Sequence, residues 1–143
     1  MTIKQISIFV ENKPGKLSAV TKLLSESNID IRALSIADTK DFGILRLIVD
    51  KPDEAVEVLK KAECMVTLTN VLAVCINDKP GGLAKAMETL YAANIQVEYM
   101  YAFVTKNVED AYVILRVGNN DVAADALKEN GFKILSGSEV YDM

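Results

Sequence analysis

The chain repeats itself. Lys13, Pro14, Gly15, Leu17, Leu24, Asn28 and Ile29 return as Lys79, Pro80, Gly81, Leu83, Leu90, Asn94 and Ile95 at a constant offset of 66 positions. A repeat of this length means that two copies of one folding unit follow each other. Further on, Leu45 and Arg46 match Leu115 and Arg116, an offset larger by four, which places an insertion in the second copy. Its expected place is the polar stretch Thr105 to Asp110, opposite the shorter Thr39 to Asp41. Hairpin turns absorb such insertions because they are solvated and loop closure costs little extra with length.

Within each copy the apolar period switches between two and 3.6. Ile6, Ile8 and Val10 alternate with Ser7 and Phe9, as Leu72, Val74 and Ile76 do in the second copy, and both runs predict a strand. Leu17, Val20, Leu23 and Leu24 then share one helical face, as do Leu83, Ala86, Met87, Leu90 and Tyr91. A second strand follows, with a phase change between Ala33 and Leu34 that predicts a bulge in the first copy only. Third strands are expected at 42–49 and 111–117, and second helices capped by Asp53 and Asp121, the latter ending at Gly131. Last strands are expected near Val66 to Val71 and Ser138 to Asp142.

The order strand, helix, strand, strand, helix, strand predicts an α+β fold, a ferredoxin-like βαββαβ unit whose antiparallel four-stranded sheet carries both helices on one face. The other face, with Phe9, Ala33 and Met100, is left to be covered. Domains are expected at 1–70 and 71–143. Between Ala62 and Asp78 there is room for two strands and almost no linker. Two arrangements satisfy that spacing: one long strand running through both copies, or a C-terminal strand exchanged into the first copy. Either gives a rigid pair, so limited proteolysis is expected to release no stable half near Asn70.

The turn between first strand and helix carries the functional reading. In "ENKPGK" and "NDKPGG", Pro fixes the helix entrance, Gly lets a ligand approach, and the amides of Gly15, Lys16 and Leu17 have no partner inside the helix. Such a helix start suits a carboxylate. Asn12 and Asp78 before it can accept from an ammonium, and the two groups together describe an α-amino acid. The same residues also make a good helix cap, so a purely structural turn stands beside the binding reading.

Both stretches, "ENKPGKLSAVTKLLSESNIDI" and "NDKPGGLAKAMETLYAANIQV", resemble the N/D-x-P-G-x-L signature and downstream pattern of ACT domains, over essentially the whole chain. The resemblance implies two tandem ACT units of a stand-alone amino-acid-binding kind, paired side by side into an eight-stranded sheet, with ligand at the seam between one turn and the neighbour's second strand. It places Asn12, Gly15, Lys16 and Leu17 at one seam and Asp78, Gly81, Gly82 and Leu83 at the other. Asp30 and Ile31, and Gln96 and Val97, are the strand contributions. With each turn facing the other copy's strand, Asp78 meets Asp30 and Asn12 meets Gln96, so two unequal sites are expected.

Other functions find less support. The formal net charge is −4 and no Lys/Arg run exceeds the pair Lys60 and Lys61, which disfavours nucleic acid. No apolar run spans a bilayer and no leader stands at the N-terminus, which points to a cytoplasmic protein. The chain has no His, no Walker-type loop and no cysteine beside a base, so no catalysis and no cofactor are expected. Cys64 and Cys75 read as buried small hydrophobes. Asp78 with Asp30 as a metal site lacks His and thiolate partners. The alternating Tyr99, Tyr101 and Phe103 read as a sheet face packed on helices, with ring stacking on a ligand as a second reading. The expected partners are a free amino acid, a metabolic enzyme and a second copy of the chain; the alternative is an interaction module without ligand that assembles through its sheets.

Overall fold

A computed structural model describes residues 1–38, 41–104 and 109–143. Its elements run β1 (Ile3–Glu11), α1 (Lys16–Glu26), β2 (Ile31–Asp38), β3 (Phe42–Val49), α2 (Pro52–Lys61), β4 (Met65–Asn77), α3 (Gly82–Ala92), β5 (Val97–Ala102), β6 (Asp110–Val117), α4 (Asn120–Glu129), β7 (Lys133–Ile134) and α5 (Gly137–Tyr141). Two compact units result. The first contains Lys4–Thr69 with Tyr141–Met143, and the second Met1–Ile3 with Asn70–Val140.

Each unit has the βαββαβ order. The first has strands in the order β2-β3-β1-β4 and the second β5-β6-β4-β7, with the pairs β1–β3, β2–β3, β4–β6, β5–β6 and β4–β7 antiparallel. Of the two arrangements open from the sequence, the long strand is the one found: β4 is 13 residues and serves both copies. That double use is why the described residues hold seven strands where two separate units would need eight.

Helices cover one face of each sheet. In the first unit Ile6, Ile8 and Val10 of β1 and Leu45, Leu47 and Val49 of β3 pack with Val20, Leu24, Ala55 and Leu59. The second unit repeats this with Leu72, Val74 and Ile76, Val113, Leu115 and Val117, and Ala86, Leu90, Ala123 and Leu127. These pairs put β3 and β6 at an offset of 68 rather than 70. The Leu-Arg identity misleads by two positions, a slip that keeps every side chain on its face and so leaves no mark in the alternation. The hairpin turns expected to hold the insertion, at Thr39 to Asp41 and Thr105 to Asp110, lie largely outside the described residues.

Several local expectations shift. The register breaks lie at Ile31/Ala33 and at Val97/Tyr99, so both copies carry the bulge and the first has it earlier than expected. Asp53 and Asp121 lie in the first turns of α2 and α4, not at the caps. Pro52 opens α2, and the Asn119 side chain caps α4 by accepting from the Val122 amide at 3.2 Å. Gly131, at φ 86°, does end α4. Tyr91 is exposed rather than packed, and both cysteines are half-buried. The repeated Asn-Ile is explained: Asn28 and Asn94 take φ of 56° and 58°, and the next amides, Ile29 and Ile95, return to the Leu24 and Leu90 carbonyls.

Ala33, Ile48, Val71, Ala73 and Ile114 are buried although they belong to neither helix-side cluster, while Phe9 stays about half exposed; Met100, expected on the sheet face away from the helices, pairs with Leu115 and so lies on the helix side.

The C-terminus corrects the sequence reading most. Where Ser138 to Asp142 was expected to be a strand, Gly137–Tyr141 is helical and β7 is only Lys133–Ile134. A reciprocal cap causes this: Glu139 Oε2 accepts from the Ser136 amide at 2.8 Å, and Ser136 Oγ accepts from the Glu139 amide at 3.3 Å. Beyond it Tyr141 joins the first unit, its hydroxyl accepting from the Lys4 amide at 2.8 Å and its carbonyl from Arg32 at 3.1 Å. Lys133, 2.7 Å away, and the Ser136 amide hold the Glu139 carboxyl down to about 2. Because that value lies below the unfolded one of about 4.5, the stabilisation is present above pH 4.5 and fades as pH falls toward 2. Acid titration of stability is expected to be shallower across that window in Glu139→Gln than in the parent; identical profiles would remove Glu139 as a contributor.

Candidate functional site

The two Pro-Gly turns are built alike, bond for bond. Gly15 has φ 87° and ψ −13°, Gly81 φ 90° and ψ −13°. This left-handed conformation is what demands glycine, since an added Cβ at either position meets nothing within 4 Å. The space above each turn is open. Asn12 and Asp78 donate their amides to the Asp41 and Glu109 carbonyls at 3.1 and 3.0 Å, and Lys13 and Lys79 donate to Glu11 and Asn77 at 2.8 and 2.9 Å.

One expected free amide is used. Lys16 and Gly82 donate to the Lys13 and Lys79 carbonyls, whereas Gly15, Leu17, Gly81 and Leu83 have no backbone acceptor outside their helices among the described residues. Among the described residues no side chain caps α1 or α3, and neither first turn holds an acid. By contrast α2 has Asp53 and Glu54 in its first turn, and α4 has Asp121 and the Asn119 cap. The positive ends of α1 and α3 are thus left uncompensated, in the two helices that the Pro-Gly turns open.

Asn12 is committed within its unit, its Nδ2 donating to Asp38 Oδ1 at 3.0 Å while its Oδ1 lies over Gly43. The Asp78 carboxylate has no hydrogen bond or ion pair among the described residues. Beside the first turn, Asn12, Leu17, Ile36 and Gly43 line a cavity of about 190 Å³. Glu11 next to it pairs with Lys13 at 3.0 Å, and Lys13, with Lys16 behind it, holds the Glu11 carboxyl below its ordinary range.

The predicted strand residues lie elsewhere in their units. Asp30 and Ile31 line a separate cavity of about 390 Å³ with Asn28 and Asp50, beyond the C-terminal end of α1. Eleven residues of helix, about 16 Å at 1.5 Å per residue, separate the ends of α1. Gln96 and Val97 stand in the same relation to α3. No single unit therefore unites its own turn with its own strand start. Asp30 is also engaged, its carboxylate with Arg32 and its amide with Asp50 Oδ1 at 2.9 Å.

The tyrosines do not pack on the helices. Met100 and Ala102 pair with Leu115 and Val113 of the helix-side core, so the bulge turns Tyr99, Tyr101 and Phe103 to the opposite face. Tyr99 and Tyr101 stack at 6.5 Å, and Phe103 meets Tyr112 edge to face at 5.8 Å. Among the described residues no three His, Cys, Asp or Glu gather as metal ligands, and no helix is long and apolar enough to cross a membrane. Burial and then Asp110 push the Cys75 thiol up, away from reactivity.

The two turns tolerate different residues after the shared glycine. A Cβ on Gly82 would stand 2.1 Å from the Asn77 carbonyl oxygen, while the first copy carries Lys16 there. Gly82→Ala is expected to cost roughly 2 kcal/mol or more by overpacking, and Lys16→Ala less than about 0.5 kcal/mol. Denaturant unfolding of both variants checks this, and equal losses would refute it.

Comparison with known proteins agrees with this architecture. Protein BT0572 from Bacteroides thetaiotaomicron superposes with a TM-score of 0.93 at 41% identity, over 100% of this chain and 98% of that one. The regulatory subunit of aspartate kinase from Thermus thermophilus, in its ligand-free form, follows at 0.67 and 19% identity, covering 90% and 92%. That from Thermus flavus gives 0.61 and 17%, covering 88% and 90%; at these identities the likeness is one of fold. No curated protein matches the sequence. The family model described as "ACT domain pair" matches residues 1–143, and the chain belongs to that family.

Proposed function

We propose that this chain is a cytoplasmic, non-catalytic regulatory protein that binds a free amino acid at its Pro-Gly turns and passes the signal to a metabolic enzyme. The observation that carries the reading is the pair of uncompensated helix starts: α1 and α3 lack both cap and acid, while α2 and α4 have acids of their own. The ligand carboxylate takes the amides about Gly15 and Leu17, or Gly81 and Leu83. Asn12 or Asp78 accepts from its ammonium, and Asp30 and Ile31, or Gln96 and Val97, complete each site from a neighbouring domain's second strand.

We assign the domains to 1–70 and 71–143, and the neighbour to the other domain or to a second copy. Edge strands β2 and β5 have one side unpaired within their own units, and Leu34 and Ile36 are exposed on β2, which favours a homodimer through these edges. The sites are unequal. Asp78 has its carboxylate available, whereas Asn12 is held by Asp38 and Asp30 by Arg32. A ligand that tightens one seam stabilises one arrangement of the domains, and that difference is what a partner enzyme reads.

A thermal-shift screen of the twenty amino acids tests this. One of them is expected to raise the melting temperature, by about 2.7 kcal/mol of added stability at a concentration near 100 times Kd. Asp78→Asn is expected to weaken that ligand about tenfold, and calorimetry to resolve two unequal sites. No shift with any amino acid would leave the interaction module, its Pro-Gly turns serving only to start helices.

A further inference from the structure

The first unit holds a third cavity, between α1, β1 and the turn from α2 into β4. Its volume is about 690 Å³, and the walls are mostly apolar, with Val20 and Leu23 of α1 facing Ile8 and Val10 of β1. Sites for small organic ligands run to roughly 300–1,000 Å³.

The duplication supplies a control. The same place in the second unit, between α3, β4 and the turn from α4 into β7, is a cavity of only about 210 Å³. The equivalences are structural: Glu63 and Gly131 both have positive φ, and the amides of Cys64 and Phe132 both return to a buried leucine, Leu59 and Leu127, at 3.0 Å.

Position by position, the copies differ in both directions: Phe9 and Val20 are larger than Cys75 and Ala86, but two positions at the cavity are smaller. Ala19 stands where the second copy has Lys85, and Cys64 where it has Phe132, so smaller side chains open the first cavity. Met65, 70% exposed, replaces Lys133, and Phe9, 47% exposed, replaces Cys75, so its border is apolar. Lys16 and Glu63 both replace glycines, Gly82 and Gly131, and bring one charge of each sign. The other charges at the cavity are already matched, Glu11 by Lys13 at 3.0 Å and Lys22 by Glu26 at 3.9 Å. Lys16 and Glu63 have no ion pair among the described residues. Glu63 moreover keeps a φ of 63° that its counterpart gives to glycine, and non-glycine residues held so collect at working sites.

We propose that this cavity is a binding site for a zwitterion with a bulky apolar body, larger than a single amino acid: a short apolar peptide, its carboxylate at Lys16 and its ammonium at Glu63. The site lies within one unit and does not depend on the amino-acid sites proposed at the turns.

Calorimetry of the full chain with L-leucyl-L-phenylalanine tests it, against leucine, phenylalanine and the same dipeptide blocked at both ends. One dipeptide is expected to bind per chain, at least tenfold tighter than either amino acid or the blocked form. Ala19→Lys with Cys64→Phe imports the second copy's own filling and is expected to abolish binding, while any amino-acid shift from the Pro-Gly turns persists. Lys16→Gln and Glu63→Gly are each expected to weaken the dipeptide at least fivefold. Glu63→Gly should at the same time raise the melting temperature by relieving the backbone, which separates lost contact from lost fold. No heat with the dipeptide, equal binding of the blocked form, or binding that survives the double substitution would each overturn the proposal.

Discussion

Each half of the chain depends on one residue held near φ +90°. Gly15 and Gly81 turn the backbone out of a strand and into a helix within four residues, so that the helix runs back across the sheet it has just left. The contacts of α1 and α3 follow from that reversal, because it lays Val20 and Leu24, or Ala86 and Leu90, over the inward residues of the preceding strand. The same reversal leaves the helix start at the sheet's end, where no side chain among the described residues caps it. One conformational requirement therefore sets both the packing and the open amides, and an L side chain at either glycine would strain both.

This dependence explains why the repeat was so legible. Several of the residues that recur are those whose backbone or burial admits few substitutes: the turn glycines, the buried Leu24 and Leu90 and the left-handed asparagines that end α1 and α3, whereas Leu17 and Leu83 recur although exposed. The twelve residues expected to bind ligand were likewise readable as a turn and a strand start. Their union across a seam is a matter of assembly, since within one unit the two groups lie at opposite ends of the first helix.

The features that escaped have physical reasons too. An extra residue at Arg32 or Glu98 turns the following strand over while leaving its alternation intact, so Tyr99, Tyr101 and Phe103 read correctly as one face and wrongly as the helix face. The C-terminal helix did carry a signal. Ser136 and Glu139 have the spacing of a capping box, and that pair outweighs the strand-like alternation of "SEVYD". Offsets read from single identities fail for a different reason, as Leu115 and Arg116 show: a two-residue slip conserves the pattern that the eye follows.

Divergence between the copies is bounded by the same physics. Apart from Val20, which is Ala86 in the second copy, buried positions of the two helix-side cores exchange only among Ile, Leu and Val or stay alanine, because volume there is fixed by close packing. At the edge of the core, where α1 or α3 overhangs the central strand, no such bound holds. There the second copy closes the gap with Phe132 and Lys85, and relaxes its turn with Gly131. The first copy keeps the gap open and places a glutamate in a conformation that glycine would hold at lower cost. A cavity and a strained backbone both oppose stability, and nothing in the fold requires them, since the second copy reaches the same architecture without either. Their joint occurrence in one copy points to selection for what the space contains.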